Sequence, residues 1–575
     1  MIGLPDNDDW YSTPRSFVEK YKKPLLYALA VIITLGTILI VFAIIHAHPS
    51  PREPLCPKIE PLVPTFNRSI DTILNDPTYK KQSIHRLSSA VKIPTVVQDN
   101  NPSPHDDPDF YYHFQEFQDF LKLTFPLVHS QLHLQKVNKF GLLYTWQGSN
   151  DTLAPLLLMS HQDVVPVNEA TLSEWEYPPF SGHYDPETDF IWGRGSNDCK
   201  NLLIAQLEAI EQLLADGYAA PERTLLLSLG FDEEASGNHG AKHLSEFITN
   251  KYGNDSLYAI LDEGEGIVEV DKGIFVAAPV VTEKGYVDVI VTINGHGGHS
   301  SIPPDHTTIG IAAQLIAALE DSPASKAFQF HDDNPVYGFL TCTAEHSESI
   351  SKKSRNIILN AIKKSKKTLQ ALTDFLVNDS RLRDLIRTTT AIDKIQGGVK
   401  ANALPEDTSF LINHRVDLHS SVNKTLQSDI DLIKDIAKKF NYGVSFMGET
   451  LLEETELGSI DIIFERPLEP APLSPHKGPV WDILTGTIQD VFQNGVLDED
   501  EDIYVTTSLF SGNTDTKYYW NLSKNIYRFN PSIIDEDLAK TLHSVNEHVD
   551  VPGHLSAVAF IYEYIVNVNQ YGNSD

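Results

Sequence analysis

Leu156, Leu157, Leu158 and Met159 are apolar at consecutive positions, the pattern of a short strand buried on both faces, predicted over Pro155–Ser160. The runs Arg223–Phe231 and Leu257–Leu261 repeat that pattern. Gln131–Tyr144 reads as a further strand ahead of them, Asn201–Leu214 carries Leu202, Leu203, Leu207, Ile210 and Leu214 at helical spacing, and after Gly237 a second helix is expected over Asn238–Ile248. Strand and helix alternating across Gln131–Val281 predict one α/β layer system with parallel strands. The texture changes at Tyr286. Val287, Val289, Val291 and Ile293 mark an alternating strand, Thr308–Leu319 a helix, Ser409–Leu418 a strand and Asn423–Phe440 a helix. This is the pattern of a second, smaller domain inserted into the first. Helices of the first kind resume at Val480–Val491 and close the chain at Gly553–Val566.

A chain of 575 residues is too long for one core, so two or three domains are expected. Asp and Glu number 78 against 45 Lys and Arg, a formal charge of −33, which argues against nucleic-acid binding. Only Cys56, Cys199 and Cys342 occur, so no disulfide framework is expected. Leu25–Ile45 is an uncharged apolar run of the ~20 residues that span a bilayer. Arg15, Lys20, Lys22 and Lys23 precede it, so the positive-inside rule predicts a cytosolic N-terminus and a luminal body. Pro49–Pro64 reads as a stalk. Sequons at Asn67, Asn254, Asn378, Asn423 and Asn521 agree with a luminal glycoprotein.

The chemistry gathers at the strand ends. His161 and Asp163 follow the first strand, where open α/β sheets carry their sites. An imidazole binds zinc well, and a carboxylate two residues on can orient it. Asp232-Glu233-Glu234 and Asp262-Glu263 end the second and third strands, and Asp198 in WGRGSNDCK precedes the helix. Each cluster alone could be a solvated loop; four on one rim make that reading improbable. His543 in LHSVNE reads on composition alone as a surface histidine ahead of a helix, but a two-metal site would need it as a second imidazole.

In order and spacing, SHQDVVPV, WGRGSNDCK, FDEEASG, LDEG, GHGGHSS, GNTDTK and HSVNE resemble the M20 family of zinc aminoacylases and carboxypeptidases, the fungal vacuolar Gly-X carboxypeptidases especially. The resemblance runs from about Asp107 to the C-terminus. It implies a zinc-exopeptidase-like α/β/α catalytic domain with an inserted α+β lid, after one N-terminal transmembrane helix. The corresponding limits are a tail over 1–24, an anchor over 25–45, a stalk and lead-in over 46–106, a catalytic domain over 107–284 and 456–575, and a lid over 285–455. It implies two zinc ions. His161 and Asp262 would hold the first, Glu234 and His543 the second, and Asp198 would bridge them. Glu233 would be the general base and Asp163 the residue orienting His161. His299, from the lid, would steady the oxyanion, in its own subunit or in a homodimer partner's site. Asn402 and Arg415 would help hold a substrate carboxylate. At Lys517 the family usually has Arg, and a lysine offers a point charge without the planar fork.

The substrate implied is a small peptide with a free C-terminal carboxylate, cleaved at its last bond with C-terminal glycine favoured. An N-acyl-amino-acid hydrolase or synthase is the alternative, because both substrates place an amide beside a carboxylate. The destination implied is a vacuole-like or lysosome-like lumen, reached as a single-pass type II membrane protein. Sorting through ubiquitin on Lys20, Lys22 or Lys23 and later release by processing are compatible with that layout.

Overall fold

The computed structural model describes residues 53–573, apart from 219, 381 and 535, together with scattered positions between 22 and 37. The chain divides into two compact units, Met1–Leu55 and Cys56–Asp575, and the second holds every element described below.

An eight-stranded sheet carries the larger core. Its strands are β1 (His133–Val137), β2 (Gly141–Trp146), β3 (Leu156–His161), β4 (Leu225–Gly230), β5 (Ala259–Asp262) and β6 (Val280–Glu283), joined later by two more. The chain then leaves for a second sheet: β7 (Gly285–Asn294), β8 (Thr389–Gly397), β9 (Asp407–Val416), β10 (Gly443–Phe446), β11 (Glu449–Leu452) and β12 (Ser459–Leu468). It returns with β13 (Ser508–Phe510) and β14 (Ile526–Arg528). Spatial order in the first sheet is β1-β2-β4-β3-β5-β14-β6-β13, and in the second β8-β9-β7-β12-β10-β11. The strands β4, β3, β5 and β14 run parallel, while β7 pairs antiparallel with both β9 and β12. The protein is thus an α/β body with an inserted, β-rich lid.

Alternation along β3 explains why the body is layered. Leu156 and Leu158 enter the core on one face, Leu157 and Met159 the core on the other. Among the helices are α1 (Lys200–Ala215), α2 (Ala241–Tyr252), α3 (Thr308–Glu320), α4 (Val422–Phe440), α5 (Pro479–Asp490) and α6 (Val551–Tyr571). α1 and α6 are buried nearly all round, as helices within a large core are. α3 and α4 cover the lid sheet through Ile311, Leu315, Ile430 and Ile433.

Two chain crossings join body and lid. In one, β6 runs into β7 through Lys284; in the other, β12 leaves the lid and Ala471 N donates to Glu283 O at 3.0 Å. Beside them Glu283, fully buried, accepts from Arg528 Nη2 at 3.0 Å and Thr514 Oγ1 at 2.8 Å. Lys284 Nζ reaches the carbonyls of Asp384 at 2.9 Å and Arg387 at 2.7 Å.

Three expectations change. Among the described residues no helix is long and apolar enough to cross a membrane. The anchor over Leu25–Ile45, and with it the single-pass membrane topology, is therefore not supported. Most of that stretch lies outside the described residues. Second, Cys56 and Cys342 form a disulfide across 286 residues, a pairing that composition did not anticipate. Third, the segment read as the single strand Gln131–Tyr144 is the end of the short helix Pro126–Gln131 followed by the antiparallel pair β1 and β2.

The Pro-rich run before the body is also tied down. Ile59 and Leu62 pack against the main core, and Leu62 N donates to Gly486 O at 2.9 Å.

Candidate metal centre

The parallel strands β4, β3 and β5 all end on one rim, so His161, Asp232–Glu234 and Asp262–Glu263 meet there. His161 is buried at the last position of β3, and its Nδ1 donates to the carbonyl oxygen of Asp163 at 3.0 Å, with Asp163 Oδ1 at 3.3 Å. That fixes the ring and leaves Nε2 facing Asp198 Oδ1 at 3.1 Å and Glu263 Oε2 at 3.4 Å. The other oxygen of Asp163 accepts from Glu234 N at 3.0 Å, so one carboxylate orients both strand ends.

Asp198 reaches two imidazoles. Its Oδ2 lies 3.0 Å from His543 Nε2, which is also 3.2 Å from Glu234 Oε1. His161, Asp198 and Glu234 could hold one ion together, and His161, Cys199 and Glu263 also converge. Asp262 is not among the converging groups, but it is buried and its Oδ2 has no hydrogen-bond partner. The loop carrying Asp198 turns through Gly195 at φ 82°, where a Cβ would stand 2.4 Å from Val164 Cγ1. Asp515, from the GNTDTK stretch, is buried against the β4 end, and a Cβ on Gly237 (φ 64°) would lie 2.2 Å from its Oδ1.

The electrostatics show a surplus of carboxylates. Burial, reinforced by Asp198, pushes Glu234 up to about 7; burial with Glu263 pushes Asp262 up to about 8. Burial also holds Glu233 well above the usual carboxylate range, with Glu263 and Asp515 adding repulsion. Hydrogen bonds to Asp198 and Glu234 raise His543 to about 10. Burial would lower His161, but Glu263 and Asp163 outweigh it and hold it well above the imidazole range. Without a cation the rim thus balances its charge with protons. The unpartnered buried oxygen of Asp262 and this stored charge are what a dication site presents, since its ligands release protons on binding. The donor set, two imidazoles and carboxylates, suits zinc.

The lid residues are placed apart. His299 is exposed on a two-stranded ribbon opposite Ala403, its Nδ1 2.7 Å from Ser301 Oγ. Asn402 is exposed beside it, and its carbonyl accepts from Ser300 N at 3.3 Å. No described contact joins either to the rim. Arg415 does face the body. Its guanidinium lies 4.7 Å over the Tyr286 ring and its Nη1 donates to Asn513 Oδ1 at 3.2 Å, four residues from Lys517. Sequence reading gave no role to Arg194, Glu547, Asp515 or Glu263, although each stands inside a stretch singled out for its neighbours. The loop WEYPPF sits beside this rim, with the Arg194 guanidinium 5.5 Å from the Trp175 ring.

Residues 157–567 match the family described as peptidase family M20/M25/M40. The chain belongs to this family. It is 60% identical to "Carboxypeptidase S" of Saccharomyces cerevisiae, over 99% of this chain and 100% of the relative. It is 32% identical to "N-fatty-acyl-amino acid synthase/hydrolase PM20D1" of Mus musculus, over 84% of this chain and 87% of that protein. The crystal structure of human carnosine dipeptidase 1 superposes with a TM-score of 0.60 at 14% identity, covering 89% of this chain and 100% of that one, a likeness of fold. In this M20 peptidase the rim is a candidate dinuclear metal centre.

Proposed function

We propose that this zinc-dependent M20 carboxypeptidase cleaves the C-terminal bond of small peptides, favouring C-terminal glycine, with Glu233 as general base. The observation that carries the reading is the division of labour at the end of β4. Glu234 is drawn to His543 at 3.2 Å, while its neighbour Glu233 is left half-buried and proton-avid on the same rim.

His161, Asp198, Glu234, Asp262 and His543 would hold two zinc ions, and Asp163 would keep the His161 ring in place. Zinc bound there would polarise the scissile carbonyl and lower the pKa of water. Glu233 takes a proton from the attacking water as the O–C bond forms. It returns that proton to the amide nitrogen as the C–N bond breaks, the shuttle of general acid–base catalysis. Arg415, on the lid, and Lys517, on the body, carry positive charges that would suit a substrate carboxylate. Arg415 supplies the planar fork that Lys517 lacks. His299 and Asn402 reach the substrate only after the lid moves, or from a second copy. The experiment is a panel of dipeptides, with and without C-terminal glycine, offered to the zinc-loaded chain beside long-chain N-acyl amino acids. Preference for the acyl substrates overturns the peptidase reading. The similarity to the mouse acyl-amino-acid enzyme makes that the second reading.

A further inference from the structure

Asp198 and His543 lie 345 residues apart in sequence and 3.0 Å apart in space. Both stand on loops, and neither loop has a strand or helix under its ligand. What holds the loops together is Glu547. Its side chain is fully buried. Oε1 accepts three backbone N–H groups of the Asp198 loop: Gly195 at 3.0 Å, Asn197 at 3.1 Å and Asp198 itself at 3.1 Å. Oε2 accepts from Arg194 Nη1 at 2.6 Å, and Arg194 Nη2 donates back to Ser544 O at 3.1 Å, one residue after His543. The backbone closes the same circuit, since Gly193 N donates to Glu547 O at 2.8 Å and His548 pairs with Trp192 in an antiparallel bridge.

We infer that Glu547 is a positioning residue for the metal centre: it sets the backbone of residues 195–198 so that the Asp198 carboxylate faces His161 and His543 at once. One carboxylate satisfies three amides of one loop, those of Gly195, Asn197 and Asp198, that would otherwise be buried without acceptors, a cost that fixes the loop in one conformation. It stands four residues after His543, so the same side chain fixes the distance between the two ligands. Arg194 completes the clamp, its fork divided between Glu547 and the His543 loop. The inference rests on reading Asp198 as a shared ligand.

The test uses the full chain and zinc alone. Zinc affinity is measured by competition with a chromophoric chelator, and coordination geometry by the visible spectrum of the Co2+-loaded protein. Glu547→Gln keeps an oxygen for the three amides and gives up the Arg194 pair; Glu547→Ala removes both. The expected order of zinc affinity is wild type, then Gln, then Ala, with losses of about 10–100-fold, the range for residues that orient ligands. The Co2+ spectrum shifts in each variant. KM stays near wild type while kcat falls with zinc occupancy and recovers in excess zinc. If Glu547→Ala does not fold, Arg194→Gln breaks the clamp from the other side and is expected to match Glu547→Gln. A role confined to stability would lower the melting temperature and leave zinc affinity and the Co2+ spectrum of the folded variants unchanged, and that result overturns the proposal. Fewer than two zinc ions in the wild-type chain would overturn the metal reading beneath it and the proposal together.

Discussion

Adjacent glutamates at one strand end have different neighbours, and that difference is testable residue by residue. Glu234 touches His543 and receives the Asp163 hydrogen-bond network through its own N–H, whereas burial and the Glu263 and Asp515 charges act on Glu233. Glu233→Gln is expected to keep both zinc ions and KM, and to lose about 10²–10⁴ in kcat, the usual worth of general acid–base catalysis. Glu234→Gln is expected to lose zinc along with rate. Equal metal content in the two variants would remove the basis for separating their roles. A similar choice arises one strand away. Asp262 offers a buried oxygen with no partner, and Glu263 lies 3.4 Å from Nε2 of His161. Asp262→Asn is expected to reduce zinc below two per chain by mass spectrometry, and Glu263→Gln to leave two. The opposite pattern moves the ligand role by one residue, a shift that sequence spacing alone could not detect.

Elements were legible where periodicity was strong. Consecutive apolar residues marked β3, β4 and β5, helical spacing marked α1 and α4, and the parallel pairing of the first three follows from strands that end on one rim. The candidate site motifs at His161, Asp232–Glu234 and Asp262–Glu263 were legible because each ends a parallel strand of one sheet, which brings them to one rim. Glu547 and Arg194 were not, because Glu547 accepts from backbone N–H groups and Arg194 donates to Glu547 and to the Ser544 carbonyl, and such contacts leave no periodicity or spacing. The pair β1 and β2 was missed because its turn, Asn138-Lys139-Phe140, lacks glycine, the left-handed positions falling on Asn138 and Lys139. Helix packing hides another polar group. Glu563 on α6 is buried against Asp490 on α5, and burial followed by the Asp490 charge pushes it up to about 9. A carboxyl whose folded pKa is raised contributes stability that is fully present below the unfolded value near 4.5 and is lost as pH rises toward 9. Glu563→Gln removes this proton linkage. The gain in urea midpoint of the variant over wild type is therefore expected to grow between pH 5 and about 9. A gap that stays constant over that range would show that the group is not protonated in the fold.

At the scale of the whole molecule, two of the points that fasten the lead-in to the body differ in kind. Leu62 is held by non-covalent bonds, its N–H donating to Gly486 O at 2.9 Å and its carbonyl accepting from Asn567 Nδ2 at 2.8 Å. Cys56 is held covalently by Cys342 on the helix Val336–His346, supported by Cys56 N donating to Glu345 Oε2 at 2.8 Å and His346 Nε2 donating to Cys56 O at 2.8 Å. Three cysteines in so long a chain gave no reason to expect this link, since only the fold brings residues 286 positions apart into contact. A crosslink over so long a loop stabilises chiefly by restricting the unfolded chain, typically by about 2–4 kcal/mol. The Cys56→Ser, Cys342→Ser double variant is therefore expected to be less stable than the oxidised wild type by an amount in that range, read as a lower urea midpoint. The loss should also be local before it is global. Hydrogen exchange is expected to quicken at the Cys56 amide, whose acceptor stands on the helix the disulfide holds, while the Leu62 amide, bonded to α5, keeps its protection. Equal protection at Cys56 in the oxidised and disulfide-free chains would show that the polar contacts suffice to seat it, and a loss reaching Leu62 to the same degree would show that the lead-in docks as one unit.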